Sequence, residues 1–264
     1  MINKKEVVIF GHTVSPDTLK FFYYLSKQKY FKISLIIFSK SSSQSIIKKT
    51  LNFFPYRVAY FKDSMPHKNK RIIKAVKTQK IKLGICLAFP NKVRKSFLRL
   101  FKNGIINFHP SALPLNKGCH HSFWGIYKNT DHGCTMHMMD DSFDGGPIID
   151  QIKYKNNIEL NAQYVFNKSI DLKLILFKKN IIKIYRNNFK FKKIKKKGTY
   201  YSKSAIKKVV ELDVKRKIEV KDLWNIIRGT NCKDIYKNTD HGFYIKFKDK
   251  KFKITSKIQK ITTR

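Results

Sequence analysis

Cysteine is scarce in this chain and shows no pattern. Cys86, Cys119, Cys134 and Cys232 form no Cys-x-x-Cys pair and no closely spaced framework, so a disulfide-stapled scaffold is excluded and reduced thiols are expected. Long apolar runs are also missing: Ile33-Ser-Leu-Ile-Ile-Phe38 is among the longest and falls far short of a bilayer span. No basic and apolar leader with a cleavage site opens the sequence, so the expectation is a cytoplasmic protein without membrane insertion. Acidic residues are few. Seventeen Asp and Glu against 57 Lys and Arg leave a formal charge of +40 at pH 7. Such a balance suggests nucleic acid, but arginine is rare, and reading bases favours its forked guanidinium. The lysines are spread over the whole length among abundant Ile, Asn, Phe and Tyr, as an AT-rich coding sequence would give, so a solvated, biased surface is favoured and a nucleic-acid partner is disfavoured. Anionic ligands are still attracted at long range.

Disorder is excluded by what is present, 42% hydrophobic and 14% aromatic residues, and 264 residues suffice for a core without metal or disulfide. Val7 to Phe10 is a β-branched run. Ser15-Pro16-Asp17 then supplies a cap, a first-turn proline and an acid, predicting a helix with Leu19, Phe22 and Tyr23 on one face. Strands at 33–38, 57–61, 83–89 and 104–108 alternate with helices at 43–54, 68–79 and 91–101. This alternation predicts an α/β fold, a doubly wound, mostly parallel sheet with helices on both faces. A loop rich in Gly, Asn and His leads to strands at 133–139 and 147–154 and a long helix at 160–186. Lysine-rich 189–197 reads as an exposed connection. Beyond Gly198 a small α+β unit is predicted, with a helix at 220–228 and a hairpin in which Phe243, Ile245 and Phe247 alternate, Asp249-Lys250 turns, and Phe252 and Ile254 resume. The division is therefore 1–190 and 198–264, the smaller piece docking on the larger or making a homodimer. Ile126-Tyr-Lys-Asn-Thr-Asp-His-Gly133 recurs at 235–242, a polar turn used twice.

In such sheets ligands gather at the carboxyl ends of the strands, which directs attention to His12 after the first strand and to Asn107 and His109 near 104–108. Asn107 and His109 are two residues apart, so an extended backbone points them the same way, and Pro110 keeps His109 extended. An amide can donate to an oxyanion and an imidazole can accept a proton near neutrality, the two needs of acyl transfer to an amine. Asp144, beside Gly145 and Gly146, lies where backbone can approach closely and a carboxylate could orient the imidazole. Cys119, His120, His121, Cys134 and His137 are metal-ligand types, but their spacing fits no closed zinc pattern, and no metal is expected. Met136, Met138 and Met139 read as strand packing.

Asn107, His109, Pro110, Ser111, Leu113, Pro114 and Gly118, with Asp144 and Gly146 downstream, closely resemble the signature of the folate-dependent formyltransferases over about Val7 to Lys155. That resemblance implies an enzyme using 10-formyltetrahydrofolate as formyl donor, with Asn107 and His109 on the formyl oxygen and the incoming amine and Asp144 tuning His109. It implies a pterin pocket against the backbone of Leu87, Ala88, Phe89 and on to Val93, and of Met139, Asp140, Asp141 and the rest of the Asp loop. Ala88-Phe89-Pro90 departs from the commoner glycine- or tyrosine-containing form.

For the acceptor, no Pro- and basic-rich insertion follows the second strand, and the tail after Gly198 is short, both unlike the methionyl-tRNA enzymes. The segment Gly118-Cys-His-His-Ser-Phe-Trp-Gly-Ile126 is similar to the sugar enzymes, and Thr199-Tyr-Tyr201 with Glu211, Asp213, Trp224 and Arg228 is loosely similar to the segment after their catalytic core. The expected substrate is a nucleotide-linked amino sugar, formylated for surface polysaccharide. His12, Lys117, His120, Phe123 and Trp124 are the candidate substrate residues; Phe123 and Trp124 are equally readable as core or as a half-exposed surface against a base or sugar. The alternatives are a methionyl-tRNA formyltransferase and a basic nucleic-acid-binding protein on the same fold.

Overall fold

The computed structural model describes residues 3–12, 16–192, 197–232, 242–256 and 258. Apolar runs near the N-terminus become the strands β1 (Lys5–Gly11), β2 (Phe31–Phe38), β3 (Ala59–Lys62), β4 (Leu83–Leu87) and β5 (Ile105–His109). Between them run the helices α1 (Pro16–Ser26), α2 (Gln44–Leu51), α3 (Lys70–Thr78) and α4 (Lys95–Leu98). After β5 come β6 (Lys117–Gly118), α5 (His121–Tyr127), β7 (His132–Met138), β8 (Ile148–Tyr154) and the long α6 (Ala162–Arg186). The C-terminal part holds β9 (Tyr200–Tyr201), α7 (Lys207–Val210), β10 (Glu211–Asp213), α8 (Val220–Thr230), β11 (Phe243–Phe247) and β12 (Lys250–Ile254). Among the described residues no helix is long and apolar enough to cross a membrane.

Seven strands make one sheet in the order β3-β2-β1-β4-β5-β7-β8, parallel from β3 to β5 and antiparallel from β5 onward. The predicted doubly wound, mostly parallel sheet is therefore present. Its two faces carry separate cores because strand side chains alternate. One face packs Phe21, Phe22 and Leu25 of α1, Ile47 of α2 and Leu172, Leu176 and Phe177 of α6; the other packs Ile72 and Val76 of α3 and Phe97 of α4. α3 begins where the Asn69 side chain accepts from the amides of Arg71 and Ile72, and α6 where Asn161 accepts from Tyr164.

Four local expectations fail for identifiable reasons. Phe22 is buried as expected, but Leu19 is half-buried and Tyr23 is 52% exposed, and α1 buries Phe21 and Leu25 in their place. The helix expected over 91–101 shortens to α4, because Arg94, the residue before its first turn, remains extended at ψ 153°. The loop expected after Pro114 contains α5, which starts from a left-handed His120 with no side-chain cap and so carries no start signal. The hairpin turns at Lys248-Asp249 rather than Asp249-Lys250, Lys248 taking φ 54°. The second copy of the repeated octapeptide lies, except for Gly242, outside the described residues; the first joins the end of α5 to β7.

β10, β11 and β12 form a small sheet of their own, and β9 adds in parallel to β6. Val210, Leu212, Ile226 and Phe243 from this C-terminal part bury Phe123 and Trp124 of α5. Arg228 is buried in α8 and donates to the carbonyls of Asn157 (2.6 Å) and Leu160 (2.8 Å), joining α8 to the approach to α6.

Candidate active site

β5 is where the sheet changes direction, with parallel β4 on one side and antiparallel β7 on the other. The register places Asn107 opposite His137 and His109 opposite Thr135, so the two strands bring two imidazoles and an amide to one end of the sheet. Asp144 arrives on the loop between β7 and β8. Gly146 lets that loop turn inward, since a Cβ there would collide with the Met138 carbonyl. Asp144 itself takes a left-handed backbone, φ 50°, rare for a residue with a side chain.

His109 is 4% exposed. Its Nε2 lies 2.9 Å from the Asn116 carbonyl, an acceptor only, so Nε2 carries a proton and donates it. Nδ1 faces Asp144 Oδ1 at 3.4 Å, while the other carboxylate oxygen, Oδ2, accepts the Gly118 amide at 2.9 Å. Asn107 Nδ2 donates to His137 Nε2 (3.1 Å) and, over a longer 3.4 Å, to Asp144 Oδ1. His137 Nδ1 lies 3.1 Å from the Met138 carbonyl, which fixes its tautomer as donor at Nδ1 and acceptor at Nε2. Burial holds the His137 imidazole down to about 4, against the opposing pull of Asp144, so it is neutral at physiological pH and available as that acceptor. The three residues expected to carry the chemistry are thus brought together. His137 and the Asn116 carbonyl join them, neither recognised as such from the sequence; alternation of His137 with Thr135 and Met139 is a strand pattern with no chemical signal of its own.

The candidate folate-binding segments form two connected walls. Leu87 and Val93 are buried in the core and leave only their main chain for a ligand, whereas Ala88 is exposed and takes φ 62°, the left-handed conformation a glycine would hold more easily. Phe89 and Met139 pack partly against the core face formed with α3 and α4. Asp140 caps the following turn through Ser142, and Asp141 accepts from the Lys95 amide (3.3 Å) and meets Lys92 Nζ at 3.6 Å, tying the Asp loop to the segment after β4.

The candidate substrate residues are dispersed. Lys117 extends its side chain over the Asp loop at Gly145, and His120 Nε2 donates to the Lys203 carbonyl at 3.2 Å. His12 follows β1, two strands from β5, buried and 2.6 Å from Ser39 Oγ, and burial lowers its pKa. Phe123 and Trp124 are 3% and 4% exposed, with Trp124 stacked on Tyr201 at 3.9 Å, so the half-exposed placement against a base or sugar is corrected: they are core under the C-terminal part. Beside them opens a cavity of about 670 Å³ whose walls include His120, His121, Ser122, Lys203, Lys207 and Tyr244. It adjoins the catalytic strand, because the His121 ring lies 5.9 Å from that of His109. Burial first, then the neighbouring His109, His120 and Lys173, push His121 well below the ordinary imidazole range, leaving it neutral.

The arrangement is that of a buried base beside an amide donor and a carboxylate, with a cationic cavity beyond His121. Over 120 residues the chain is 27% identical to the GDP-perosamine N-formyltransferase of Brucella abortus, covering 45% of this chain and 46% of that protein. Over 150 residues it is 31% identical to the methionyl-tRNA formyltransferase of Halothermothrix orenii, covering 56% and 46%. The chain thus spans just under half the length of these curated relatives. A sugar N-formyltransferase structure from a Shewanella species superposes with a TM-score of 0.78 at 16% identity, over 98% of this chain and 99% of that one, which shows a shared fold through the C-terminal part. Residues 5–174, which include Asn107, His109, His137 and Asp144, match the formyl transferase family, and with its motif and fold both in place the chain belongs to that family.

Proposed function

We propose that this protein transfers the formyl group of 10-formyltetrahydrofolate to the primary amine of a nucleotide-linked amino sugar. The observation that carries the reading is the joint placement of Asn107, His109 and Asp144, with His109 Nε2–H fixed on the Asn116 carbonyl and Nδ1 left facing Asp144. The amine nitrogen attacks the formyl carbon and a C–N bond forms. His109 Nδ1 takes the amine proton, and Asp144 pairs with the imidazolium that results. Asn107 turns its 3.4 Å contact from Asp144 to the tetrahedral oxyanion while His137 keeps hold of the other amide hydrogen. The bond from carbon to folate N10 then breaks, and the proton returns to N10, giving tetrahydrofolate and a formamide. The donor fits between the segment from Leu87 to Val93 and the Asp loop, whose walls Lys92 and Asp141 join.

The acceptor fits the cavity beside His121. Lys203 and Lys207 there suit a diphosphate, Tyr244 suits a base, and the seryl hydroxyls suit a sugar. Full-length superposition on a sugar N-formyltransferase supports this choice. Methionyl-tRNA is the second reading, favoured by the 31% match to an enzyme of that name. Both co-substrates of the first reading are cytoplasmic, and the proposal places the enzyme there, with residues 198–264 as a unit that docks on 1–190 or pairs as a homodimer.

Release of tetrahydrofolate from 10-formyltetrahydrofolate, followed with a panel of nucleotide-linked amino sugars and, separately, with methionyl-tRNA, tests the acceptor. Turnover with at least one amino sugar is expected. Turnover with methionyl-tRNA alone would transfer the assignment to the second reading.

A further inference from the structure

The imidazole of His109 is held by one main-chain carbonyl, and that carbonyl is itself held from outside the region matched to the family. Asn116 is 1% exposed and left-handed, φ 57°. Its amide donates to Thr199 Oγ1 at 2.8 Å, its side-chain Nδ2 donates to Thr130 Oγ1 at 2.9 Å, and its carbonyl accepts from His109 Nε2 at 2.9 Å. Thr199 is fixed in turn, its amide donating to the Pro114 carbonyl (3.1 Å) and its carbonyl accepting from Lys117 N (2.9 Å). The next two residues pair as β9 with β6, Tyr200 with Lys117 and Tyr201 with Gly118, and the Tyr201 carbonyl takes the Cys119 amide at 2.9 Å. Gly118 is the residue whose amide meets Asp144 Oδ2. One short strap, Thr199 to Tyr201, therefore secures the carbonyl that meets His109 and the amide that meets Asp144, although the family match ends at residue 174.

We propose that Thr199 is a positioning residue for the formyl transfer reaction, acting through Asn116 to hold His109 in the tautomer that leaves Nδ1 free to accept the amine proton. With Nε2–H on a carbonyl, the neutral ring has its lone pair on Nδ1, facing Asp144 Oδ1, the same oxygen that Asn107 meets. Without the Thr199 hydroxyl the buried Asn116 N–H loses its acceptor, and the Leu115–Asn116 peptide turns to find another, changing the dihedrals of the left-handed Asn116 and so the aim of its carbonyl in the next peptide. The carbonyl then leaves Nε2, and the ring is free to carry its proton on Nδ1, the position the amine proton has to occupy. Thr199 does not line the cationic cavity, and its hydrogen bonds go to Pro114, Asn116 and the Lys117 main chain, so its loss is expected on the chemical step rather than on substrate affinity.

This inference rests on the proposed function for its kinetic arm only. Thr199→Val, close in shape but without a hydroxyl, is expected to lower kcat by about ten- to a hundredfold with KM for donor and acceptor within about twofold, and Thr199→Ser to restore most of the rate. The second readout needs no turnover: long-range proton–nitrogen NMR of ring-labelled His109, recorded where the imidazole is neutral, should show the Nε2–H tautomer in the wild type and in Thr199→Ser, and a mixture in Thr199→Val. Wild-type kcat together with wild-type ring shifts in Thr199→Val would overturn the inference, as would a Thr199→Ser variant as slow as the valine one. If no amine is formylated by the wild type, the proposed function fails, and the ring shifts alone decide this inference.

Discussion

At the scale of single residues, the site works because its hydrogen bonds leave each group one assignable proton state. The Met138 carbonyl makes His137 a donor at Nδ1, so Nε2 must accept, and Asn107 must therefore present its amide nitrogen there. An amide flipped the other way would aim its oxygen at a lone pair and at the Asp144 carboxylate. This order depends on His137 staying neutral. Burial brings both His137 and His132 to about 4, so between the ordinary imidazole value of about 6.5 and about 4 the unfolded chain binds protons that the folded chain refuses. Stability should thus fall as pH drops through that window, by at most about 1.4 kcal/mol per pH unit for each histidine. Urea midpoints measured from pH 7.5 to 4 check this. A flat profile would mean that the two rings titrate alike in both states.

At the scale of elements, legibility followed the length of the local signal. β1, β2, β4 and β5 were readable because apolar runs bounded by polar turns have few other uses, and α3 because Ile72 and Val76 repeat among lysines. The same alternation, with Pro110 behind it, made Asn107 and His109 visible as a pair. β6, β9 and β10 are two or three residues long and exist only through pairing partners distant in sequence, so no local pattern announces them. They also explain why the Asn116 carbonyl is not legible and why Thr199-Tyr-Tyr201, marked only by its similarity to the sugar enzymes, gives no sign of what it holds, since main-chain contacts leave no residue signature. α5 escaped for a different reason: all its residues from His121 to Ile126 are buried, beneath the C-terminal part, so it has no polar face to mark a helical period. Phe123 belongs to that packing, stacked on Tyr127 and enclosed with Val210, Leu212 and Ile226. Phe123→Ala should cost about 3–5 kcal/mol in denaturant unfolding and loosen the C-terminal part. A loss under about 1 kcal/mol would show that α5 does not depend on this contact.

At the scale of the molecule, the charge is a surface property. Among the described residues Lys173 and Arg228 are the buried cations, and the other described lysines and arginines are half-buried or exposed. Folates with their glutamate, nucleotide diphosphates and RNA are all anions, so +40 raises encounter rates with each and selects none. In the proposed reading, selection falls to the cavity beside His121, and chemistry to the end of β5 with the strap that holds its histidine. The measurement that tests this most directly uses 10-formyltetrahydrofolate labelled with carbon-13 in the formyl group, mixed with the amino-sugar acceptor that supports turnover. Label should appear as a sugar formamide with the wild-type protein, and its rate of appearance should fall about 100- to 1000-fold in Asn107→Ala and at least as far in His109→Ala, with the fold retained. Formamide forming at the wild-type rate in both variants would contradict the assignment of the site.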